Sequence, residues 1–357
     1  MGKGGIMKSC LYLGILVLIF SACRAGSVPD VDSLPSYTIT EVKRISLSQE
    51  MEIESIDKAG EYYVVLDSRN HHYALVTMTE DGLVTDRYDR KGKGPGEFGP
   101  GDIFTIGCEG NTVYLGDRGV NKIMRFEITS QGEIRFQDEF TLGEGSIIAA
   151  ALGGDGRIYC SIIEGPAFLH VYDQEGTLLG RFVPAEHPDF SSMTKQELMD
   201  YAARSIFIPL VSRDGVLLFG FLGKRLLFTR WEKSALSVIR EADYPELKGE
   251  WFEGESRQGD EDNELSLRFS PRGTVAFFTR QDDYWVLIGS AEARDKAVLL
   301  SYDSRGDLVA TARYRFPEGT TSPVLLYCAP DDTLIYQESP LEEGDRNLSE
   351  IVVCAFQ

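Results

Sequence analysis

The chain has little histidine, four in 357 residues, little tryptophan, three in all, and far fewer basic than acidic side chains, 36 Lys and Arg against 56 Asp and Glu. Each shortage excludes something. His71, His72, His170 and His187 leave little for a histidine-built metal centre. The adjacent pair His71-His72 points to opposite faces of an extended chain, so the two cannot serve one metal without a turn. A formal net charge of −20 repels phosphate backbones, and no Lys/Arg cluster is denser than Arg87 to Lys93. Nucleic acid is therefore excluded as a partner. Cysteine is sparse, and none of the six has metal-ligand spacing. Helix signals are few: Thr194-Lys-Gln-Glu197 reads as a capping box opening a short helix through about Ala203. The apolar run Leu11 to Phe20 is too short to span a bilayer.

That run does have the length of a signal-peptide core, and Lys3 and Lys8 precede it. It ends in Phe20-Ser-Ala-Cys23, which resembles the lipobox of bacterial lipoproteins, in which the chain is cut before the cysteine and the thiol carries a lipid. The other reading is an ordinary cleaved signal with a chance cysteine. The expected organisation is a signal peptide over 1–22, a lipidated Cys23 with a flexible tether over 23–37, and one domain over 38–357. Cleavage leaves 34 basic against 56 acidic residues. Anionic lipid repels such a body, so the acyl chain is the only membrane contact expected. Arg24 is not the aspartate that often retains lipoproteins at the inner membrane, and no acidic export signal follows Cys23. The expected location is the bacterial cell envelope, at the outer membrane facing the periplasm. Cys108, Cys160, Cys328 and Cys354 remain in the body, as buried free thiols or in one of three disulfide pairings.

The body repeats. A Gly or Asp turn followed by a β-rich run occurs at Gly60, Gly110, Gly156, Gly215, Gly273 and Asp332, each time opening the second strand of a unit. A hairpin turn before an outer strand follows at Gly82, Gly132, Gly176 and Gly306, with a weaker version at Glu232 to Leu236. Four strands per unit make a propeller blade. Innermost strands are expected near Ile103, Ile147, Phe207, Leu267 and Val324. The sixth unit stops one strand short after Ile351 to Phe356, and the unpaired strand Thr38 to Leu47 would complete it. The expected fold is all-β: a six-bladed β-propeller of four-stranded antiparallel blades, closed by pairing the N-terminal strand with the last blade. A monomer is expected, since closure removes the exposed edges.

The segment Gly92-Lys-Gly-Pro-Gly-Glu-Phe-Gly-Pro100, with Tyr114-Leu-Gly-Asp117 and Lys122-Ile-Met-Arg-Phe126 after it, resembles an NHL-type repeat. With the lipobox, the chain resembles the NHL-repeat-like or TolB-like six-bladed propeller lipoproteins common in Bacteroidetes. The resemblance implies fold and envelope location and transfers no catalytic residue. Related lactonases of the gluconolactonase-like family hold a divalent metal such as calcium in the central channel. Here the expected inner strands are mostly apolar and do not visibly supply the converging oxygens a hard cation needs.

The glycine-rich segment is not a Walker loop. It runs from strand to strand, and no Ser or Thr follows a Gly-Lys. It reads as the connector from blade one to blade two, with Phe98 tucked between them. Connectors share a face with the loops between second and third strands, where Arg69, His71, His72, Lys91, Lys93, Glu97, Arg118, Asn121, Lys122 and Arg280 are expected as the candidate ligand face. Cations gathered on so acidic a protein suit an anionic partner, a protein or a glycan; a solvated rim is the other reading. Trp251, Phe252, Tyr284 and Trp285 either stack on sugar rings or fill core. The leading expectation is a binding or scaffolding module with no cofactor and no catalytic constellation. The alternative is a metal-dependent hydrolase or lyase using the central channel.

Overall fold

The computed structural model describes residues 34–357 apart from 70–71, 144, 164–165, 185–192, 195–196, 198–206, 213, 221–224, 233–234, 244–276, 281–282, 290–295, 316–323, 329–332, 338–349 and 357. Contacts divide the chain into Met1–Leu34 and Pro35–Gln357. Cys23 and His71 lie outside the described residues.

Strand β1 (Ser36–Ser46) comes first. Blade one is β2 (Ile53–Ala59), β3 (Tyr62–Asp67), β4 (Ala74–Met78) and β5 (Val84–Tyr88), and blade two is β6 (Ile103–Glu109), β7 (Thr112–Asp117), β8 (Lys122–Ile128) and β9 (Ile134–Thr141). Blade three is β10 (Ser146–Leu152), β11 (Ile158–Ile163), β12 (Ala167–Tyr172) and β13 (Leu178–Pro184); blade four is β14 (Phe207–Val211), β15 (Val216–Gly220), β16 (Arg225–Glu232) and β17 (Ala235–Asp243). Blade five is β18 (Phe277–Arg280), β19 (Asp283–Gly289), β20 (Lys296–Tyr302) and β21 (Leu308–Arg315). β22 (Val324–Cys328), β23 (Thr333–Gln337) and β24 (Glu350–Phe356) form blade six together with β1, which runs antiparallel to β24 from Ile39 opposite Phe356 to Ser46 opposite Glu350. By hydrogen bonding there are five sheets, four of four strands and one of eight. The eight-stranded sheet is blades five and six joined at their outer strands.

The pattern of burial follows from position in the blade. Middle strands are covered on both faces by neighbouring blades, and their sequences are correspondingly unbroken: Ala74-Leu-Val-Thr-Met78 is buried throughout. Outermost strands alternate, as in Val84-Thr-Asp-Arg-Tyr88, because one face looks to solvent. Six hydrophobic clusters result, one at each junction between successive blades, the last uniting Ile335, Ile351 and Val353 of blade six with Ile56, Val65 and Val76 of blade one. The ring is therefore closed.

Blade five departs from expectation. Of the run Gly273 to Phe278, expected as a second strand, only Phe277 and Phe278 are among the described residues, and they open the first described strand, β18, with β19 paired beside it. The strand expected near Leu267 lies outside the described residues. The capping box is present: Thr194 N donates to Glu197 Oε2 at 2.8 Å and Glu197 N to Thr194 Oγ1 at 3.2 Å.

All six outermost strands carry a bulge, at Val42, Thr85, Gln137, Leu179, Ile239 and Val309, where the register slips by one residue. A bulge interrupts the row of backbone groups that would otherwise accept a foreign strand. Three of these residues, Val42, Leu179 and Ile239, are exposed hydrophobics. The turns into the outer strands lock blade to blade. Gly132, at φ +79°, receives the Thr77 hydroxyl of blade one on its carbonyl at 2.5 Å, and a Cβ there would meet Thr85 and Tyr62 at under 3 Å. Gly132→Ala is expected to lower stability by about 2 kcal/mol through the left-handed backbone and the lost approach. Gly143→Ala, where a Cβ meets nothing within 4 Å, is expected to leave the urea midpoint unchanged.

Candidate functional site

The connector between β5 and β6 is held by its own residues. Phe98 N donates to Arg90 O at 2.7 Å and Gly92 N to Phe98 O at 2.9 Å, closing a loop with Gly92 at φ +149° and Gly96 at φ +71°. Phe98 is 3% exposed and meets the rings of Tyr88 and Phe126 edge-on at 5.8 and 6.2 Å. Burying that ring in the core between blades one and two fixes the loop to the ring of blades. The three N–H groups a phosphate would seek have carboxylate partners: Gly94 N donates to Glu97 Oε2 at 2.9 Å, Gly96 N to Glu139 Oε2 at 3.0 Å and Gly99 N to Asp117 Oδ2 at 2.7 Å. An incoming phosphate would have to displace these groups and face their charge, so the loop is no phosphate cradle.

Asp117 is fully buried at the end of β7. Its Oδ1 also accepts from Gly119 N at 2.9 Å and Val120 N at 3.2 Å. It thus binds the turn that follows it and the connector into its own blade, where Gly101 and Gly119 approach so closely that a Cβ on Gly101 would lie 2.3 Å from Gly119 N. Asp67 repeats the arrangement in blade one, accepting from Glu52 N at 2.9 Å, Arg69 N at 3.1 Å and Arg87 Nη1 at 2.9 Å. In blade six the corresponding position is Gln337, which accepts from Ile53 N at 3.1 Å and donates to Met51 O at 2.9 Å, fastening the connector into blade one.

The candidate residues fall into two groups. Most are engaged within the fold. Lys122 is 3% exposed and pairs with Glu139 at 2.8 Å while donating to Gly94 O at 3.2 Å. Arg118 donates to Ile148 O at 2.7 Å and Asp102 at 3.2 Å with its guanidinium 5.0 Å from the Phe104 ring. Asn121, at φ +55°, donates to Leu142 O and Gly145 O and accepts from Ile147 N, which ties blade two to the approach to blade three. Glu97 is turned into the loop, and Arg69 pairs with Glu50 at 3.3 Å. Lys91, Lys93 and His72 are exposed, and neither lysine has an ion-pair partner among the described residues. Arg280 does not join them. It ends β18, at a first-to-second-strand turn, and in an antiparallel blade such turns open on the face opposite the connectors. Tyr284 and Trp285 are 1% and 2% exposed and fill core, whereas Trp251 and Phe252 lie outside the described residues.

Sequence reasoning missed Glu139 and Gln337, whose partners are remote in the chain, and it missed a polar contact between the inner strands of blades one and two. There Ser55 Oγ lies 2.6 Å from Thr105 Oγ1, and the Asp57 carboxylate, which also accepts from Lys58 N at 2.7 Å, is hydrogen-bonded to Cys108. Burial raises Asp57 above the ordinary carboxylate value and, together with the Asp57 charge, pushes the Cys108 thiol well up. Cys108, Cys160 and Cys354 are free thiols. Among the described residues no three His, Cys, Asp or Glu side chains gather as a metal-ligand group.

Residues 42–152 match the model of a family described as "6-bladed beta-propeller" (DUF5128). The chain is a six-bladed β-propeller. A Bacteroides fragilis protein whose name calls it exported has the same fold, with 14% identity, coverage of 90% of this chain and 98% of its own, and a TM-score of 0.55. A DUF4221-family protein of Bacteroides vulgatus is similar at 10% identity, with 89% and 97% covered and a TM-score of 0.48. No functionally curated protein matches the propeller in sequence.

Asp117→Ala would leave three backbone donors of the propeller without their acceptor and is expected to cost about 2–4 kcal/mol in urea unfolding. For Asp57 the sign is the reverse. The folded chain holds its proton more tightly than the unfolded chain does, so its contribution to stability is full below the ordinary carboxylate value and is lost as pH rises through the raised one. Asp57→Asn cannot ionise and keeps an acceptor for Lys58 N. Its thermal midpoint is expected to exceed that of the native chain at pH 7, and the difference should vanish below about pH 3.9.

Proposed function

We propose that the protein is a lipid-anchored envelope propeller that binds an acidic partner, a protein or a glycan, through its connector face and performs no chemistry of its own. One observation carries this reading: Lys91 and Lys93 stand exposed on a loop whose backbone is fixed at both ends and whose Glu97 is turned onto that backbone, on a protein of net charge −20. Arg90 lies beside them, its guanidinium 5.3 Å from the Tyr88 ring. A rigid support lowers the ordering cost of contact, and a local positive potential on an acidic body steers an anionic surface to that place. The N-terminal lysines, the short apolar run and Phe20-Ser-Ala-Cys23 support export and lipidation at Cys23, and Arg24 favours the outer membrane, facing the periplasm.

Capture from detergent-solubilised envelope by the immobilised propeller tests the reading. The native chain is expected to retain a partner that elutes with rising salt, and a Lys91→Glu, Lys93→Glu double variant is expected to lose at least tenfold of it (roughly 1.4 kcal/mol). Retention unchanged by the charge reversal would remove the connector from the contact.

A further inference from the structure

Lys122 is the one lysine or arginine buried among the described residues. Taking an ammonium group out of water is costly unless partners replace the water, so its burial calls for a cause. The blade itself does not require it. Lys122 opens β8 opposite Asp117, and the same place in blade one, opposite Asp67, holds Ala74. Two residues further along the third strand, Met124 lies opposite Glu139 of β9, where Val76 of blade one lies opposite Arg87 of β5. Arg87 turns onto Asp67 of its own blade at 2.9 Å. Lys122 and Glu139 turn instead onto the connector. Lys122 Nζ donates to Glu139 Oε2 at 2.8 Å and to Gly94 O at 3.2 Å, and the same Oε2 accepts from Gly96 N at 3.0 Å. Blade two thus grips the tip of a loop that leaves blade one, while the Tyr88 hydroxyl, donating to Gly96 O at 2.9 Å, holds it from the blade-one side. Lys91 and Lys93 stand exposed on that loop.

We propose that Lys122 and Glu139 are positioning residues for the connector face: an ion pair that touches no partner fixes the backbone on which Lys91 and Lys93 stand, and so sets how tightly they hold an anionic surface. For affinity the inference rests on the binding reading above; for the stiffness of the loop it does not. Lys93 has a glycine on either side, Gly92 and Gly94. An unheld segment of that composition samples many conformations, and binding would have to discard all but one of them. Fixing Gly94 and Gly96 from blade two removes that freedom before any partner arrives. The pair is suited to the task because each member meets a different backbone group: the ammonium has only donors and takes the Gly94 carbonyl, and the carboxylate has only acceptors and takes the Gly96 N–H. Their mutual attraction offsets the desolvation of both.

Hydrogen exchange read by mass spectrometry on the full chain, joined to capture from solubilised envelope, tests the assignment. A Lys122→Met, Glu139→Gln double variant removes one charge of each sign, so the net charge is unchanged, and the glutamine keeps a carbonyl for Gly96 N. Peptides over 90–101 are expected to exchange about tenfold faster, with those of β3, β4 and β7 at the native rate. Retention of the envelope partner is expected to fall about tenfold with its salt dependence unchanged, because Lys91 and Lys93 are still present. Glu139→Gln alone is expected to shift both readouts in the same direction and carries the test if the double variant does not fold. Lys122→Arg keeps a cationic donor and is expected to retain the partner nearly as the native chain does. Native exchange over 90–101, equal acceleration in β3, β4 and β7, or unchanged retention by a loosened loop would each overturn the assignment. If the native chain retains nothing, or Lys91→Glu, Lys93→Glu retains the partner in full, the binding reading fails instead, and the exchange rates still decide whether the pair holds the loop.

Discussion

A four-stranded blade of this chain is apolar on both faces and cannot bury either one by itself. That constraint organises the whole molecule. Val64 and Leu66 of blade one need Val113 and Leu115 of blade two, and so on around the circle until Val353 needs Val65. A linear stack would leave two such faces in water. Bending the stack into a ring removes both, provided that the first and last blades are joined by something stronger than the contact of their faces. β1 supplies it by giving blade six a strand drawn from the opposite end of the sequence, so unfolding at that junction must break a ladder of backbone hydrogen bonds together with an apolar contact.

Closing a ring creates a second problem, since each connector must return from rim to hub across the face of the structure with its backbone groups satisfied. Blades one and two use a buried carboxylate at the end of the second strand. Asp67 and Asp117 each accept from the turn behind them and from the connector ahead. A carboxylate is suited to this because it is acceptor-only and offers several lone pairs, and bonds from backbone N–H groups stabilise its charge in place of water. Blade six meets the same need with the neutral amide of Gln337, which has both an N–H and a carbonyl to satisfy. Part of the chain's acidity is thus structural, and it is concentrated where backbone donors converge.

Much of the ring was legible in the sequence because its signals are local. Glycines at positive φ mark the turns, continuous apolar runs mark the strands covered on both faces, and the shortfall of one strand after Phe356 implies closure by the N-terminus. Blade five was misread for the same reason. Gly273 resembles the other turn glycines, and only the pairing of Phe278 with Trp285 places the described end of that run in the first described strand of the blade. The outer bulges were invisible, since a one-residue slip at Thr85 or Gln137 leaves no mark in composition. At the candidate site, the exposed lysines and the burial of Phe98 were readable from residue type. The partners were not: Glu139 reaches Gly96 from β9, Asn121 of blade two reaches Ile147 in the next blade, and Lys122 is buried although its type suggests a surface. Such contacts depend on how neighbouring sheets twist past one another, which no window of sequence encodes.

The glycine-rich connector joins these threads. Gly92 and Gly96 stand at positive φ, Gly101 lies against Gly119, and the N–H groups of Gly94, Gly96 and Gly99 are occupied by Glu97, Glu139 and Asp117, so neither composition nor donors require a ligand to explain them. What remains is the consequence of that arrangement. By engaging Glu97, Glu139 and Asp117 on its backbone N–H groups, the loop ties up three carboxylates, and Arg90, Lys91 and Lys93 are left outside. Lysine and arginine cannot replace the acids within, because they carry no acceptor for a backbone N–H. A connector built this way therefore presents its cations outward whether or not selection for binding placed them there. The positive edge follows from the structural requirement, and a partner with complementary charge would find it already rigid.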